Sequence, residues 1–348
     1  MLTVVCPGQT AAPRFILTLE HALRGRRAEI VTRFDPDTPL QNRRILFAVP
    51  LEETGVNHQL YDLLAILRTH PDYLSDSMGG VLIDGQGDLY TKAAARELVL
   101  AANQAGCAFV GRPLVEGTGG LKNFTVQARN GGCSLEEAYR RAAADLAERV
   151  EAFVPPRTAH PRLAVFHASS YGPSNTLDLW RQVREGLENR CDITETGLRN
   201  GTLEDCAGCP YTMCLHFGEK GGCFYGGVMV REVYPAVREA DGVVLLCPNY
   251  NDALSANLTA CINRLTALYR TTDFTGKALF GIVVSGYSGG DIVARQLVSA
   301  LCMNKGFWLP PRFCLLETAN DAGTALELPG IRDRLDGFTE NILRQLSE

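Results

Sequence analysis

Residues 162–180 read RLAVFHASSYGPSNTLDLW, a short apolar run, a polar loop and the start of an amphipathic pattern. The run at 163–166 is continuously apolar, as expected of a parallel strand covered on both faces. The loop after it is dense in hydroxyls, with Ser169, Ser170, Ser174 and Thr176 beside Asn175. Leu177, Trp180, Val183 and Leu187 then recur at helical spacing. A strand, a Ser/Thr loop and a helix N-terminus together make an anion site, because first-turn N–H groups lack intrahelical partners and the helix dipole favours negative charge. No Lys or Arg lies in the loop, so neutral donors would hold the anion. That suits a bound monophosphate better than a triphosphate with magnesium.

The same scaffold occurs twice. In the first half, Arg44-ILFAVP-Leu51 precedes NHQLYDLLAILRTH; in the second, Gly242-VVLLCP-Asn249 precedes LSANLTACINRLTALYR. Gly80-VLID-Gly85 then matches Gly281-IVVS-Gly286, and AARELVLAANQAG matches VARQLVSALCMNKG. GRPLVEGTG pairs with PRFCLLETAN, and each half closes on an amphipathic helix, SLEEAYRRAAADLAERV or GIRDRLDGFTENILRQL. Continuously apolar strands alternating with helices predict an α/β protein of two tandem, doubly wound parallel-sheet domains of flavodoxin size. The expected organisation is a first domain at 1–154, a Pro-rich linker at 155–161 and a second domain at 162–348. The second domain carries a cysteine-rich insertion at about 200–228. The first has Pro7-Gly8-Gln9-Thr10-Ala11-Ala12-Pro13 in place of the hydroxyl loop, with one hydroxyl and two prolines that cannot donate.

The chain has 348 residues, 46% hydrophobic content and a net charge of −5, so nothing in its composition suggests a nucleic-acid-binding surface. Neither an export signal nor an apolar run of membrane-spanning length is evident, and twelve cysteines then suggest reduced thiols in the cytoplasm. Cys6, Cys107, Cys247, Cys261, Cys302 and Cys314 lie in apolar stretches and are expected to pack as small hydrophobes.

In an open parallel sheet, ligands bind beyond the carboxyl ends of the strands, at the switch point. Three loops of the second half should therefore converge. The hydroxyl loop is the first. Pro248-Asn249-Tyr250-Asn251 is the second, with an aromatic face and two amides suited to a flat polar ring. Ser285-Gly286-Tyr287-Ser288-Gly289-Gly290 is the third, where glycines allow close backbone approach. Phosphate donors at one loop and ring partners at two others describe a flavin mononucleotide (FMN) site.

On the S-S-x-x-x-S-N-T loop, the P-x-Y-N segment followed by SANLTACINR and the S-G-Y-S-G-G loop, residues 162–318 resemble the flavodoxin-like NADPH-dependent FMN reductases, especially the iron–sulfur flavoprotein branch. The resemblance implies that Ser169, Ser170, Ser174, Asn175 and Thr176 hold the FMN phosphate. It implies that 248–251 and 285–290 border the isoalloxazine. It also implies a dimer with the flavin near the subunit interface, for which the first half could be an internal stand-in. His167-Ala168 departs from the small residues of many relatives, and His167 is expected to pack rather than catalyse.

Cys206, Cys209, Cys214 and Cys223 follow the pattern C-x2-C-x4-C-x8-C in a glycine-containing segment. Thiols at this density suit an iron–sulfur cluster or tetrahedral zinc, or remain free or redox-active. The resembled branch carries a compact four-cysteine [4Fe-4S] site here; the ligand count agrees, while the spacing in this chain is wider. His216 is a spare ligand or a solvated loop residue.

Gly286-Tyr287-Ser288-Gly289-Gly290 fits the G-x-S-x-G of a hydrolase elbow, but no histidine follows it to close a triad in that fold's order. No P-loop motif is present. The expected function is an FMN-dependent oxidoreductase, fed by NAD(P)H or ferredoxin and reducing a small organic acceptor such as a quinone, azo compound or flavin. No dedicated catalytic acid or base is expected, because the flavin carries the chemistry. The alternative is a non-enzymatic electron-transfer or redox-sensing flavoprotein.

Overall fold

The computed structural model describes residues 1–8, 12–169 and 174–348. The chain forms two compact units, Met1–Val154 and Pro155–Glu348. In the first, strands β1 (Leu2–Val5), β2 (Ala28–Val31), β3 (Arg44–Pro50), β4 (Ser77–Asp84) and β5 (Cys107–Gly117) alternate with helices. These helices are α1 (Pro13–Leu23), α2 (His58–Thr69), α3 (Thr91–Gln104), α4 (Thr125–Gly131) and α5 (Leu135–Ala152). The sheet order is β2-β1-β3-β4-β5, with every pair parallel.

The second unit repeats this plan. Its strands are β6 (Arg162–His167), β7 (Asp192–Gly197), β8 (Gly242–Pro248), β9 (Ala278–Ser285) and β10 (Cys314–Thr318). Its helices are α6 (Asn175–Leu187), α7 (Tyr211–Glu219), α8 (Tyr234–Glu239), α9 (Ala256–Tyr269), α10 (Gly290–Leu297) and α11 (Ile331–Leu346). The order β10-β9-β8-β6-β7 is again fully parallel. Numbered within each unit, both sheets run 2-1-3-4-5, the flavodoxin-like doubly wound order. The matched sequence pairs fall on equivalent strands: 44–51 and 242–249 on the third, 80–85 and 281–286 on the fourth.

The continuous apolar runs become central strands because helices cover both sheet faces. All eight residues of β4 and all eight of β9 are buried. Helix α6 shows how a covering helix is specified: Leu179, Trp180, Val183 and Leu187 bury one stripe, while Arg181, Arg184 and Glu185 face outward. Each such fully buried side chain contributes about 1.5–3 kcal/mol of transfer free energy. Helix α5 starts on Ser134, whose hydroxyl accepts the Glu137 N–H at 3.1 Å. Its contact with β4 requires glycine, since a Cβ at Gly80 would stand 2.7 Å from Val150 and 2.9 Å from Leu146. Cys107, Cys247, Cys261, Cys302 and Cys314 are buried as expected, and burial pushes their thiols up. Cys6 departs from that expectation: it ends at the rim of the first sheet and is half-buried.

Candidate functional site

A cavity of about 880 Å³ opens at the carboxyl ends of β6, β8, β9 and β10, where the order of the second sheet reverses. Its lining contains no charged side chain among the described residues. Ser169, Ser174, Asn175, Thr176, Pro248, Asn249, Tyr250 and Gly286 line it, so residues from all three predicted loops meet there. Ser170 lies outside the described residues.

The hydroxyl end of the cavity is built on the start of α6. Ser174 is its N-cap residue, yet its side chain makes no capping bond. Instead, the hydroxyls form a chain: Ser169 Oγ to Ser174 Oγ at 3.1 Å, then Ser174 Oγ to Thr176 Oγ1 at 3.1 Å. First-turn N–H groups of a helix have no intrahelical acceptor, so donors cluster where the chain of hydroxyls ends. Asn175 has a different part. Its amide nitrogen donates to Ala319 O at 3.1 Å and Asp321 O at 2.9 Å, and its Oδ1 accepts from the Gly323 N–H at 2.8 Å. The side chain therefore ties the loop after β10 to α6.

Asn249 organises the opposite wall. Its Nδ2 donates to Ser285 Oγ at 3.1 Å and Ser288 O at 3.0 Å, which pins the loop after β8 to the loop after β9. Its Oδ1 is buried and has no partner, an acceptor available to a ligand N–H. Tyr250 and Ala253 exchange backbone hydrogen bonds around Asn251 and Asp252, which both have positive φ. Asn and Asp tolerate that conformation better than most residues, so the turn holds Tyr250 half out of the protein, 59% exposed.

Six predicted ring contacts do not line the cavity. Asn251 is spent on that turn, and Ser285 is buried beneath Asn249 as its hydrogen-bond partner. Tyr287 points to solvent and Ser288 contributes its carbonyl to Asn249. Gly289 and Gly290 begin α10. Gly289 has φ +84°, and a Cβ there would run into the Asp252 carboxylate and stand 3.0 Å from Asn249 Nδ2. Gly289→Ala is therefore expected to destabilise the second unit by about 1–2 kcal/mol from backbone strain alone, read as a lower urea midpoint. An unchanged midpoint would show that the loop relaxes freely.

The cavity also recruits Asn200, Leu254, Ser255, Asn257, Ala319 and Asn320, which sequence reading did not select. Asn257 holds the loop after β7 through Leu198 O at 2.6 Å and Asn200 Oδ1 at 3.1 Å. The quoted SANLTACINR segment contains it, but nothing in the sequence says which loop lies opposite.

His167, at the end of β6, is largely buried beside Glu195, with Nε2 3.6 Å from a carboxylate oxygen. Burial lowers its pKa, against the pull of Glu195. A histidine with a lowered folded-state pKa binds its proton more readily when unfolded. The stability it supports is intact above the unfolded value near 6.5 and is lost as pH falls below it. The urea midpoint is expected to fall between pH 7.5 and 5.5, and to fall less in His167→Gln.

The first unit closes the corresponding region differently. Helix α1 begins on Pro13 without a side-chain cap, and its second residue is Arg14. Arg14 lies across the ends of β4 and β5: Nε and Nη2 hold Asp84 at 2.9–3.2 Å, Nη1 donates to Gly119 O at 2.7 Å and Nη2 to Gly85 O at 2.8 Å. The segment 7–13, expected to lack phosphate donors, lies partly outside the described residues.

In the insertion, Cys206 is exposed, while Cys209, Cys214 and Cys223 are half-buried. All four line one cavity of about 190 Å³, together with Phe217, Phe224, Tyr225, Arg264 and Arg270. The donor chemistry is that of a four-thiolate metal site. Among the described residues, however, no group of three or more His, Cys, Asp or Glu side chains is arranged to hold a metal ion. No helix of the described residues is long and apolar enough to cross a membrane.

Fold and crevice define the class: two parallel five-stranded α/β sheets of flavodoxin-like order, one bearing a polar, uncharged ligand cavity at its switch point. Residues 161–321, which lie within the second unit, match the family model of NADPH-dependent FMN reductase. Among solved structures, the chain is similar to an NAD(P)H:quinone oxidoreductase from Methanothermobacter marburgensis, with 14% identity, 53% of this chain, 98% of that chain and a TM-score of 0.41. It is also similar to an azoreductase from Bacillus anthracis, with 13% identity, 52% of this chain, 97% of that chain and a TM-score of 0.39. Comparison with curated proteins finds no match.

Proposed function

We propose that the second unit binds one FMN in the large cavity and passes reducing equivalents from NAD(P)H, or from a ferredoxin-like donor, to a small organic acceptor such as a quinone or azo compound. The observation that carries this reading is the pairing of an uncapped helix start and a three-hydroxyl chain at one end with an unpartnered Asn249 Oδ1 across the cavity. The first end suits a phosphate monoester, because neutral donors and the helix dipole hold it without a counter-ion. The second offers an acceptor to a ring N–H, and Tyr250 supplies an exposed aromatic face.

FMN supplies hydride and single-electron chemistry when bound. The chain's own residues bind and orient. Ser169, Ser174 and Thr176 receive the phosphate, with Ser170 assigned to the same loop. Asn175 and Asn249 fix the surrounding loops, and Gly286 lets backbone approach the ring. Cys206, Cys209, Cys214 and Cys223 are the ligands proposed for a [4Fe-4S] cluster, with zinc as the competing occupant. The first unit is proposed as a flavodoxin-like domain without its own flavin, since Arg14 and Asp84 fill the strand ends where a ligand would enter.

Steady-state oxidation of NAD(P)H with a quinone or azo dye tests the assignment. Turnover with either acceptor is the expected result. Reduction of the bound flavin by a partner protein alone, with no small-molecule turnover, would make the protein an electron carrier instead. Heat release is expected to yield one FMN per chain; two would overturn the assignment of the first unit.

A further inference from the structure

The hydroxyl end of the ligand cavity has no lysine or arginine among its described lining residues, yet a titratable ring stands directly behind it. His167 is the last residue of β6, and the next two residues, Ala168 and Ser169, line the cavity. Its ring lies over β7. His167 pairs there with Gly197, where a Cβ would stand 3.3 Å from the ring Cε1 and 3.5 Å from Nε2, so glycine makes room for it. Nε2 is 3.6 Å from Glu195 Oε1, beyond hydrogen-bond length, and Nδ1 is buried with no partner. Glu195 is itself fixed through its other oxygen, which accepts from Trp180 Nε1 at 3.0 Å and Arg184 Nη1 at 3.4 Å. On the β8 side the register partner of His167 is the apolar Leu246. Among the described residues, the charged groups facing the ring are therefore Glu195 on β7, with Arg184 of α6 behind it, and Arg199 just after β7. Burial is the largest influence on the ring and lowers its pKa; Glu195 and the Ser169 backbone favour the charged form, and Arg199 opposes it. The part played by Ser169 sets the ring against the first residue of the hydroxyl loop.

A buried imidazole without a close partner on either nitrogen changes protonation state readily when a charge arrives beside it. Neutral serine and threonine hydroxyls orient an anion but do not neutralise it, so the charge of a bound phosphate reaches the ring behind them. We infer that His167 takes up a proton when a phosphate monoester enters the hydroxyl loop, and so is a positioning residue that supplies the positive charge the loop's own donors lack. This rests on the reading of that loop as the FMN phosphate site. It adds that the site's affinity is coupled to pH through a histidine outside the cavity lining. The proton comes from solvent and completes the imidazolium, whose Nε2–H then faces the Glu195 carboxylate already ordered by Trp180 and Arg184. In the free protein the ring is neutral at pH 7, because burial holds it below its ordinary value. Binding therefore consumes a proton, and by linkage a falling pH strengthens binding until the free protein is protonated as well.

The test is the affinity of the full-length apoprotein for FMN and for riboflavin from about pH 8 to about pH 6, read by flavin fluorescence, with calorimetry in two buffers of different ionisation enthalpy to count protons. Wild type is compared at each pH with His167→Gln, which removes the proton site and cancels the titration of the phosphate itself near pH 6. Over that range wild type is expected to gain about threefold or more in FMN affinity relative to His167→Gln, and to take up more protons per FMN bound. Riboflavin, which lacks the phosphate, is expected to show neither difference. Identical FMN profiles in wild type and His167→Gln, with FMN still bound more tightly than riboflavin, overturn the role of His167 and leave the phosphate site in place. A difference that riboflavin shares equally also overturns it, because the histidine then acts on the cavity as a whole. FMN bound no more tightly than riboflavin at any pH overturns the phosphate reading and the inference with it. Should His167→Gln not fold, Glu195→Gln decides: without the carboxylate the FMN profile is expected to move to lower pH, and an unmoved profile overturns the coupling.

Discussion

Ser174→Ala combined with Thr176→Ala is expected to strip the protein of FMN. The two hydroxyls are linked at 3.1 Å at the start of α6, and the cavity there offers no cationic side chain to compensate among the described residues. A hydrogen bond to a charged group contributes about 1.5–3 kcal/mol. Losing two weakens binding by roughly 3–6 kcal/mol, or about 10²- to 10⁴-fold in dissociation constant. Quenching of FMN fluorescence on titration into apoprotein measures this directly. Riboflavin supplies the control, because it lacks the phosphate: its affinity is expected to change by no more than about twofold. FMN affinity within twofold of wild type would remove the phosphate from this loop. Equal losses for FMN and riboflavin would mean that the substitutions damage the cavity as a whole.

Arg14→Ala is expected to destabilise the first unit strongly. Asp84 is almost wholly buried, with 3% of its side chain exposed, and Arg14 holds both of its oxygens. Truncating one partner of a buried ion pair costs about 3–5 kcal/mol, because the other charge is left uncompensated. Gly85 O and Gly119 O lose a donor as well. The double variant Arg14→Met with Asp84→Leu should recover most of that loss, since an apolar pair of similar size leaves no buried charge. Urea denaturation followed by far-UV circular dichroism reads both. A single variant within about 1 kcal/mol of wild type would show that water enters and solvates Asp84.

The fold was legible because its signals are periodic and local. Two five-strand sheets follow from apolar runs such as 242–248 and 278–285, whose lack of alternation already requires cover on both faces. The internal repeat then assigns both halves to one scaffold. The hydroxyl loop was legible for the same reason: a strand, a cluster of Ser and Thr and a helix stripe are contiguous in the chain. Cys6 was less so, since a short apolar stretch does not reveal that its last residue reaches the sheet rim.

The ring side of the cavity was legible only in outline. Proximity in sequence could not separate Asn249, which faces the ligand space, from Asn251, which is consumed by a tight turn. It could not show that Ser285 lies beneath Asn249, or that Asn175 spends its amide on the loop after β10. Each of these roles is a hydrogen bond between residues far apart in the chain, and such partners exist only once the strands are in register.

The division is therefore physical. Residue type, hydrophobic period and contiguous loop chemistry act over a few neighbouring residues, and they were enough to specify two doubly wound sheets, the single hydroxyl loop and the four-cysteine segment. Which donors stay free, which are spent on holding loops, and where buried charge lacks a partner depend on side chains that meet only through the fold. Arg14 on Asp84 in the first unit and Arg264 between Glu204 and Gly226 in the second are such meetings. In the sequence both residues are ordinary helical arginines; packing makes one a closure of the strand ends and the other a clip across the cysteine segment.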